Sequence, residues 1–257
     1  MSEPPGGFTE DAFLGGQLRL RQPASGHRAG HDAILLAAAT PVHPGACVMD
    51  FGAGVGTAGL AVARRAHQFE PAIKLILVEI DAGLAGLAQA NAAANSIAAE
   101  VAVLDVSASA REFAAAGLAP DSADVVLMNP PFNDASRHRA SPDKAREIAH
   151  VATASTLESW IHAARRVLKS GGVLTLIWRA EGLSDVLTAL DHGFGSVAIL
   201  PVHGVANAPA IRVLVRAIKG SKAPLQLHPP LLLIDGSDNK EAQKILMGSA
   251  TLSLATL

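Results

Sequence analysis

Five short apolar runs recur along the chain, most followed by a stretch with helical periodicity, and this alternation restricts the fold more than any other feature. The runs are Ala46–Phe51 (ACVMDF), Lys74–Ile80 (KLILVEI), Glu100–Val106 (EVAVLDV), Asp124–Met128 (DVVLM) and Gly172–Trp178 (GVLTLIW). They are close to continuously apolar, the pattern of strands covered on both faces. Between them lie TAGLAVARRA, DAGLAGLAQANAAAN and TLESWIHAARRVLKSGG. The last reads as a complete helix, with Thr156 as its cap, Glu158 and Ser159 in its first turn, and a stop at Gly171-Gly172. Helices between such strands act as crossovers in a mostly parallel sheet with helices on both faces. Later, FGSVAILPV and APAIRVLVRAI flank a short His-Gly-Val-Ala-Asn stretch and predict a terminal antiparallel hairpin. LQLHPPLLLIDG should be extended, and NKEAQKILMG a short last helix. No internal repeat, low-complexity block or long linker interrupts the 257 residues. The expected organisation is one α/β domain over 1–257, with residues 1–45 as an extension covering the site and 46–257 as the core.

Composition agrees: 49% of residues are hydrophobic and 17% charged, enough to bury a large core of Ala, Leu, Val and Ile. The single cysteine, Cys47, excludes an intramolecular disulfide and a cysteine-cluster zinc site, and a buried, inert thiol is expected. The amino terminus, MSEPPGGFTEDAF, is acidic and rich in Pro and Gly, the opposite of a signal peptide. No apolar run approaches the ~18 residues of a membrane span. A cytoplasmic protein without membrane contact is therefore expected. The net charge of −2 makes no global case for nucleic-acid binding, which leaves that argument to local patches.

MDFGAGVGTAG (Met49–Gly59) follows the first strand and opens a helix. Read literally, Gly54, Gly56 and Gly59 form G-x-G-x-x-G, and Glu79 lies about 20 residues on, where a dinucleotide site would hold a ribose. A nicotinamide oxidoreductase is thus a competing reading. In that fingerprint, however, the first glycine turns the chain directly after the strand, and here the turn begins at Gly52. The better parse is Asp50-x-Gly52-x-Gly54-x-Gly56, a carboxylate at the strand tip and then glycines at alternate positions. Such a loop lets backbone come close to a ligand. Asp50 would repel a pyrophosphate but suits an ammonium group. Glu79, at the second tip, can accept both ribose hydroxyls, and Asp105, at the third, can hold an adenine amino group. Together these residues resemble the class I S-adenosylmethionine-dependent methyltransferases, a Rossmann-like fold with a seven-stranded sheet. The resemblance implies S-adenosylmethionine as cofactor, bound across the carboxyl ends of these strands at the topological switch point.

The fourth strand stops at Asn129-Pro130-Pro131-Phe132. An exocyclic amine on a base or amide is a poor nucleophile because its lone pair is delocalised. Two acceptors aimed at its hydrogens, the Asn129 side-chain oxygen and the Pro130 carbonyl, favour a pyramidal nitrogen, and these bonds strengthen as positive charge develops. Pro130 and Pro131 fix φ and restrain the residue before each. Phe132 offers a face on which a base stacks, worth about 1–3 kcal/mol. No metal is required. The tetrapeptide resembles that of methyltransferases acting on adenine-N(6), guanine-N(2) or a glutamine amide.

Gly26–Ala39 (GHRAGHDAILLAAA) is similar to the segment ahead of the catalytic domain in the bacterial tRNA(Val) (adenine-N(6)) methyltransferase family, and Ser141–His150, Pro201-Val202-His203 and Pro229-Pro230-Leu231 extend the likeness. It implies tRNA as substrate, in the anticodon-loop region. Phe132 stands where many relatives carry Tyr. Asp32 suits either a helix N-cap before Ile34 or a role at the cofactor. Two basic groups are candidates for gripping RNA phosphates because both should flank the mouth of the site: Arg19, Arg21 and Arg28, and then Arg137, Arg139, Lys144 and Arg146. Arg212, Arg216, Lys219 and Lys222 form a third basic group, more economically a solvated face. His27, His31, His138 and His150 are more economically surface or capping residues. A release-factor glutamine methyltransferase would carry a helical domain ahead of the catalytic one, and a ribosomal-RNA guanine methyltransferase an added domain. A non-catalytic RNA-binding module is the remaining alternative.

Overall fold

Helices and strands alternate along the chain as the apolar pattern requires. The architecture comes from a computed structural model describing residues 7–24, 30–131, 142–234 and 239–254, with the side chains of all of these except 142–153. In order the elements are β1 (Phe8–Phe13), β2 (Leu18–Pro23), α1 (His31–Ala39), β3 (Cys47–Phe51), α2 (Thr57–Arg65), β4 (Lys74–Glu79), α3 (Ala82–Ala94), β5 (Ala99–Val103) and α4 (Ala110–Ala115). They continue with β6 (Ala123–Met128), α5 (Pro142–Val167), β7 (Leu168–Arg179), α6 (Leu183–Leu190), β8 (Phe194–Val205), β9 (Ala210–Lys219), β10 (Gln226–Leu227), β11 (Leu231–Ile234) and α7 (Lys240–Leu246).

The main sheet runs β10-β8-β9-β7-β6-β3-β4-β5, with β11 also paired to β8. The strands β3 to β7 are parallel, and β9 closes antiparallel on both β7 and β8, as the terminal hairpin predicts. The sheet has nine strands among the described residues, where seven were expected. The two additions are the short β10 and β11, which line up parallel along the outer edge of β8. The extended tail thus covers an otherwise open sheet edge.

Both faces of the sheet are covered, which explains the continuous apolar runs. Val48, Leu75, Leu77, Val125 and Leu127 face one core, together with α1, α2, α3 and α7. Met49, Ile76, Val78, Val126 and Met128 face the other, together with α4, α5 and α6. Two boundaries differ from the sequence expectation. Helix α5 begins at Pro142, not at Thr156, because the preceding DKAREIAHVA is itself rich in helix formers and Pro is tolerated in a first turn. It ends at Val167, and Gly171-Gly172 lie within β7.

Ahead of the sheet, β1 and β2 form a separate antiparallel hairpin. Asn91 on α3 and Asn95, the C-cap of that helix, hold it. Asn91 accepts from Arg21 N (2.8 Å) and donates to Arg21 O (3.1 Å), while Asn95 accepts from Arg19 N (3.0 Å) and donates to Arg19 O (2.7 Å). Each carboxamide imitates the ladder partner that β2 lacks on that side. Asn91 is almost fully buried and also donates to Val55 O in the glycine loop (3.0 Å), so hairpin and loop share one side chain. Replacing Asn91 by Leu leaves buried backbone groups without partners and should cost roughly 2–4 kcal/mol. Asn95→Ala, at a more exposed site, should cost clearly less. Urea unfolding of the two variants measures the difference, and equal losses would refute the asymmetry.

Candidate active site at the carboxyl edge

Strand register brings the candidate residues together. Phe51 pairs with Val78 on one side and with Met128 on the other. One residue further on, Glu79, Gly52 and Asn129 therefore stand in a row, with the outer two about 10 Å apart at ordinary strand spacing. The chain winds outward from β3 to β5 and then returns to place β6 on the other side of β3. The row lies at that switch point, where open α/β sheets bind their ligands.

The glycine loop is fixed from below and open above. Gly52 N and Ala53 N both donate to Val78 O, at 2.9 and 3.0 Å. Gly52 has φ +68°, and a Cβ there would lie 2.4 Å from the Trp160 ring of α5, so no other residue fits. Gly54 has φ +57°, and its outer side faces open space. Its N–H donates to Glu79 Oε2 (2.7 Å), and Asp81 N donates to Oε1 (3.0 Å). The Glu79 carboxylate is thereby held still, and each oxygen keeps a lone pair for a further donor.

Asp50 has a structural role that the sequence did not suggest. It is 2% exposed, and its Oδ2 accepts from Gly59 N (2.8 Å) in the first turn of α2. The helix N-cap is Gly56, which has no side chain to offer, and Asp50 supplies the missing acceptor from the neighbouring strand. Through this bond it positions the loop. A dinucleotide site needs that same helix terminus for a pyrophosphate, so this carboxylate argues against the oxidoreductase.

Asn129 is half-buried, yet its Oδ1 is fully enclosed and has no hydrogen-bond partner among the described residues. Pro130 is buried behind it and Pro131 is exposed. Phe132 lies outside the described residues, as do Arg28, Arg137 and Arg139, while Lys144 and Arg146 lie on α5 with their side chains undescribed. Asp105 is exposed, two residues past the end of β5, and its Oδ1 accepts from Ser107 N (2.7 Å). Sequence reasoning missed Ile80 and Val103, large apolar side chains 63% and 58% exposed beside Glu79 and Asp105. For Ile80 the available signal was an apolar residue directly after an acidic strand tip; Val103 closes β5, two residues before Asp105. A cleft of about 700 Å³ opens nearby between loop 106–109, α5 and α6, but Glu79, Asn129 and the glycine loop form none of its wall.

Other candidates are engaged elsewhere. Asp32 is not the N-cap of α1, which is Gly30; it lies in the first turn and pairs with Arg212 at 2.8 Å. Arg19 and Arg21 stand on the exposed face of β2, with Arg19 3.5 Å from Glu10. Lys219 pairs with Asp121 at 2.7 Å, so Arg212 and Lys219 of the third basic group are committed to structure. Burial pushes the Cys47 thiol pKa up, which keeps it protonated. Among the described residues no His, Cys, Asp and Glu cluster is placed to hold a metal ion, and no helix is long and apolar enough to cross a membrane.

An open glycine turn, an oriented carboxylate and an unsatisfied amide oxygen in one row fit a nucleoside ligand beside an acceptor amine, the arrangement of a class I methyltransferase. The family model of the methyltransferase small domain matches residues 28–204, and the chain belongs to that family. It is an S-adenosylmethionine-dependent methyltransferase. It is 28% identical to the tRNA1(Val) (adenine(37)-N6)-methyltransferase of Enterobacter sp. (strain 638) over 198 residues, 76% of each chain. It is 30% identical to the ribosomal RNA small subunit methyltransferase C of Escherichia coli O7:K1 over 162 residues, which are 63% of this chain and 38% of that one. The crystal structure of Atu636 from Agrobacterium tumefaciens, described as a predicted O-methyltransferase, superposes with a TM-score of 0.71 at 29% identity, covering 86% of this chain and 98% of that one.

Burial pushes the Asp50 pKa up to about 7; the Gly59 hydrogen bond opposes the shift and the Glu79 charge adds to it. A carboxyl whose pKa rises on folding binds its proton more tightly in the native state, so stability falls as pH climbs from 3.8 to about 7. Asp50→Asn keeps an acceptor for Gly59 and removes this slope. The Tm of the variant relative to the parent should therefore climb between pH 4 and pH 7 and level off above. A difference that is flat with pH would show the carboxylate ionised throughout.

Proposed function

We propose that this enzyme methylates the exocyclic amino group of an adenine in tRNA, in the anticodon-loop region. The carrying observation is the enclosed Asn129 Oδ1 at the switch point, without a partner among the described residues. A buried acceptor left unsatisfied costs about 1–3 kcal/mol, which a substrate amine returns by donating to it. The bound cofactor supplies an electrophilic methyl group on a sulfonium. The Asn129 oxygen and the Pro130 carbonyl accept from the amine hydrogens, and both bonds tighten as the nitrogen becomes positive. Pro130 and Pro131 hold these acceptors in place, and Phe132 is assigned to stack on the base.

Glu79, oriented by Gly54 N and Asp81 N, would hold the ribose hydroxyls of the cofactor, with Gly52, Gly54 and Gly56 giving the close approach. Ile80 and Val103 offer apolar surface for its adenine, and Asp105 an acceptor for the adenine amino group. An amide oxygen cannot remove the proton of a hydroxyl, which favours nitrogen over the oxygen acceptor named for the Agrobacterium neighbour. The tRNA reading rests on the Enterobacter relative, matched over 76% of its length. Guanine in ribosomal RNA is the second reading, since the same acceptors suit its amine, but that relative is matched over only 38% of its length. Arg19 and Arg21, exposed on the hairpin that Asn91 ties to the glycine loop, are the described residues best placed to meet RNA phosphates.

Asn129→Ala should lower turnover by about 10²–10³ while leaving most of the cofactor affinity; unchanged turnover would remove Asn129 from the chemistry. Tritium transfer from labelled S-adenosylmethionine into total RNA and total protein, followed by nucleoside digestion, identifies the acceptor. N6-methyladenosine is the expected product, and label in protein alone would move the assignment to a glutamine amide.

A further inference from the structure

The opposite edge of the sheet holds a feature that methyl transfer does not use. Helix α2 leads from the glycine loop to Arg64 and Arg65 in its last turn, about 13 Å away. There a cleft of about 620 Å³ opens between the ends of α1 and α2, strand β9 and the tail segment 248–253. Its wall includes Arg64, Arg65, His67 and Arg216, and no carboxylate among the described residues.

Among the described residues no carboxylate neutralises the three guanidiniums. Arg64 donates to Asn95 O (2.6 Å), and its enclosed Nε has no partner among those residues. Arg65 donates to Ala37 O at the end of α1. Arg216 has no ion pair or side-chain hydrogen bond to any described residue, although Arg212 on the same strand pairs with Asp32 and Lys219 pairs with Asp121. Carboxylates are thus supplied above and below it on β9 but not beside it. The carbonyl end of α1 offsets about half a charge, well short of three. Burial also pulls the pKa values of Arg65 and Arg216 down, so their charge is held at a cost that a bound anion would relieve.

The tail completes the cleft with hydroxyls. Leu252 N donates to Ala38 O (2.9 Å), and Leu252 and Leu254 are buried. Thr251 and Ser253 alternate with them, point outward and line the cleft.

We infer that this cleft binds a phosphate group, with guanidinium forks for its oxygens and hydroxyl donors beside them. The phosphate comes either from the backbone of the RNA substrate or from a free phosphorylated metabolite. The RNA source rests on the proposed function; the phosphate chemistry does not.

Inorganic pyrophosphate is the probe, added at constant ionic strength while thermal unfolding is followed. Millimolar pyrophosphate should raise the Tm of the parent, raise that of Arg216→Lys in part, and leave Arg216→Gln unmoved. S-adenosylmethionine affinity, unchanged in both variants, certifies their fold. In the second arm, an RNA source predicts that Arg216→Gln weakens RNA binding about tenfold and reduces the salt slope by about 1, with KM raised and kcat kept. A pyrophosphate response with unaltered RNA affinity assigns the site to a free ligand, and loss of RNA affinity alone assigns it to the RNA backbone. A Tm rise shared equally by Arg216→Gln, or no change in either arm, overturns the inference. Should no RNA be methylated while the pyrophosphate response still depends on Arg216, the proposed function falls and this site stands.

Discussion

A hydrogen-bond acceptor sealed inside a protein without a donor is expensive, and the carboxyl edge of this sheet is organised around one. Asn129 Oδ1 is enclosed at the tip of β6 and has no partner among the described residues. It cannot relax easily: the ladder to β3 and β7 fixes the strand behind it, and two prolines follow it. The cost of about 1–3 kcal/mol is carried by a strand whose Val125, Val126, Leu127 and Met128 side chains are buried in two cores. A site that withholds a donor from its acceptor retains that acceptor for a substrate, which is how binding energy becomes selective for the reacting state.

The cofactor side obeys the same logic of fixing groups in advance. Glu79 accepts from two backbone N–H groups, which aim its carboxylate without exhausting it. Asp50 stabilises the first turn of α2, leaving Gly54 clear on its outer side. Asn91 joins the amino-terminal hairpin to Val55, so the strand that carries the exposed arginines and the glycine loop are tied by one side chain. Rigidity thus reaches the site from three directions, and each contribution is a side chain satisfying backbone groups that secondary structure leaves open.

Much of this was legible in the sequence. Continuous apolar strands between helical stretches specify a sheet covered on both faces, and the Asp50 to Gly56 loop and the Asn129 tip followed from strand ends alone. Some partners were not legible. Nothing in the motif around Asp50 reveals that Gly59, nine residues on, will turn back over it. Asp32 reads as a cap until Arg212, 180 positions later, takes its carboxylate. The clamp of Asn91 and Asn95 was visible only as an i, i+4 pair of amides, and their partner strand lies some seventy residues upstream. The edge strands β10 and β11 are too short to carry a periodic signal.

The central claim is that the Asn129 oxygen awaits an acceptor amine. A crystal structure with a non-reactive analogue of S-adenosylmethionine and an adenine-containing RNA fragment tests it most directly. The account predicts the adenine amino nitrogen within about 3.2 Å of Asn129 Oδ1, the Pro130 carbonyl as its second acceptor, and the analogue's ribose on Glu79. An Asn129 carboxamide turned to a protein partner, with the base bound elsewhere, would contradict it.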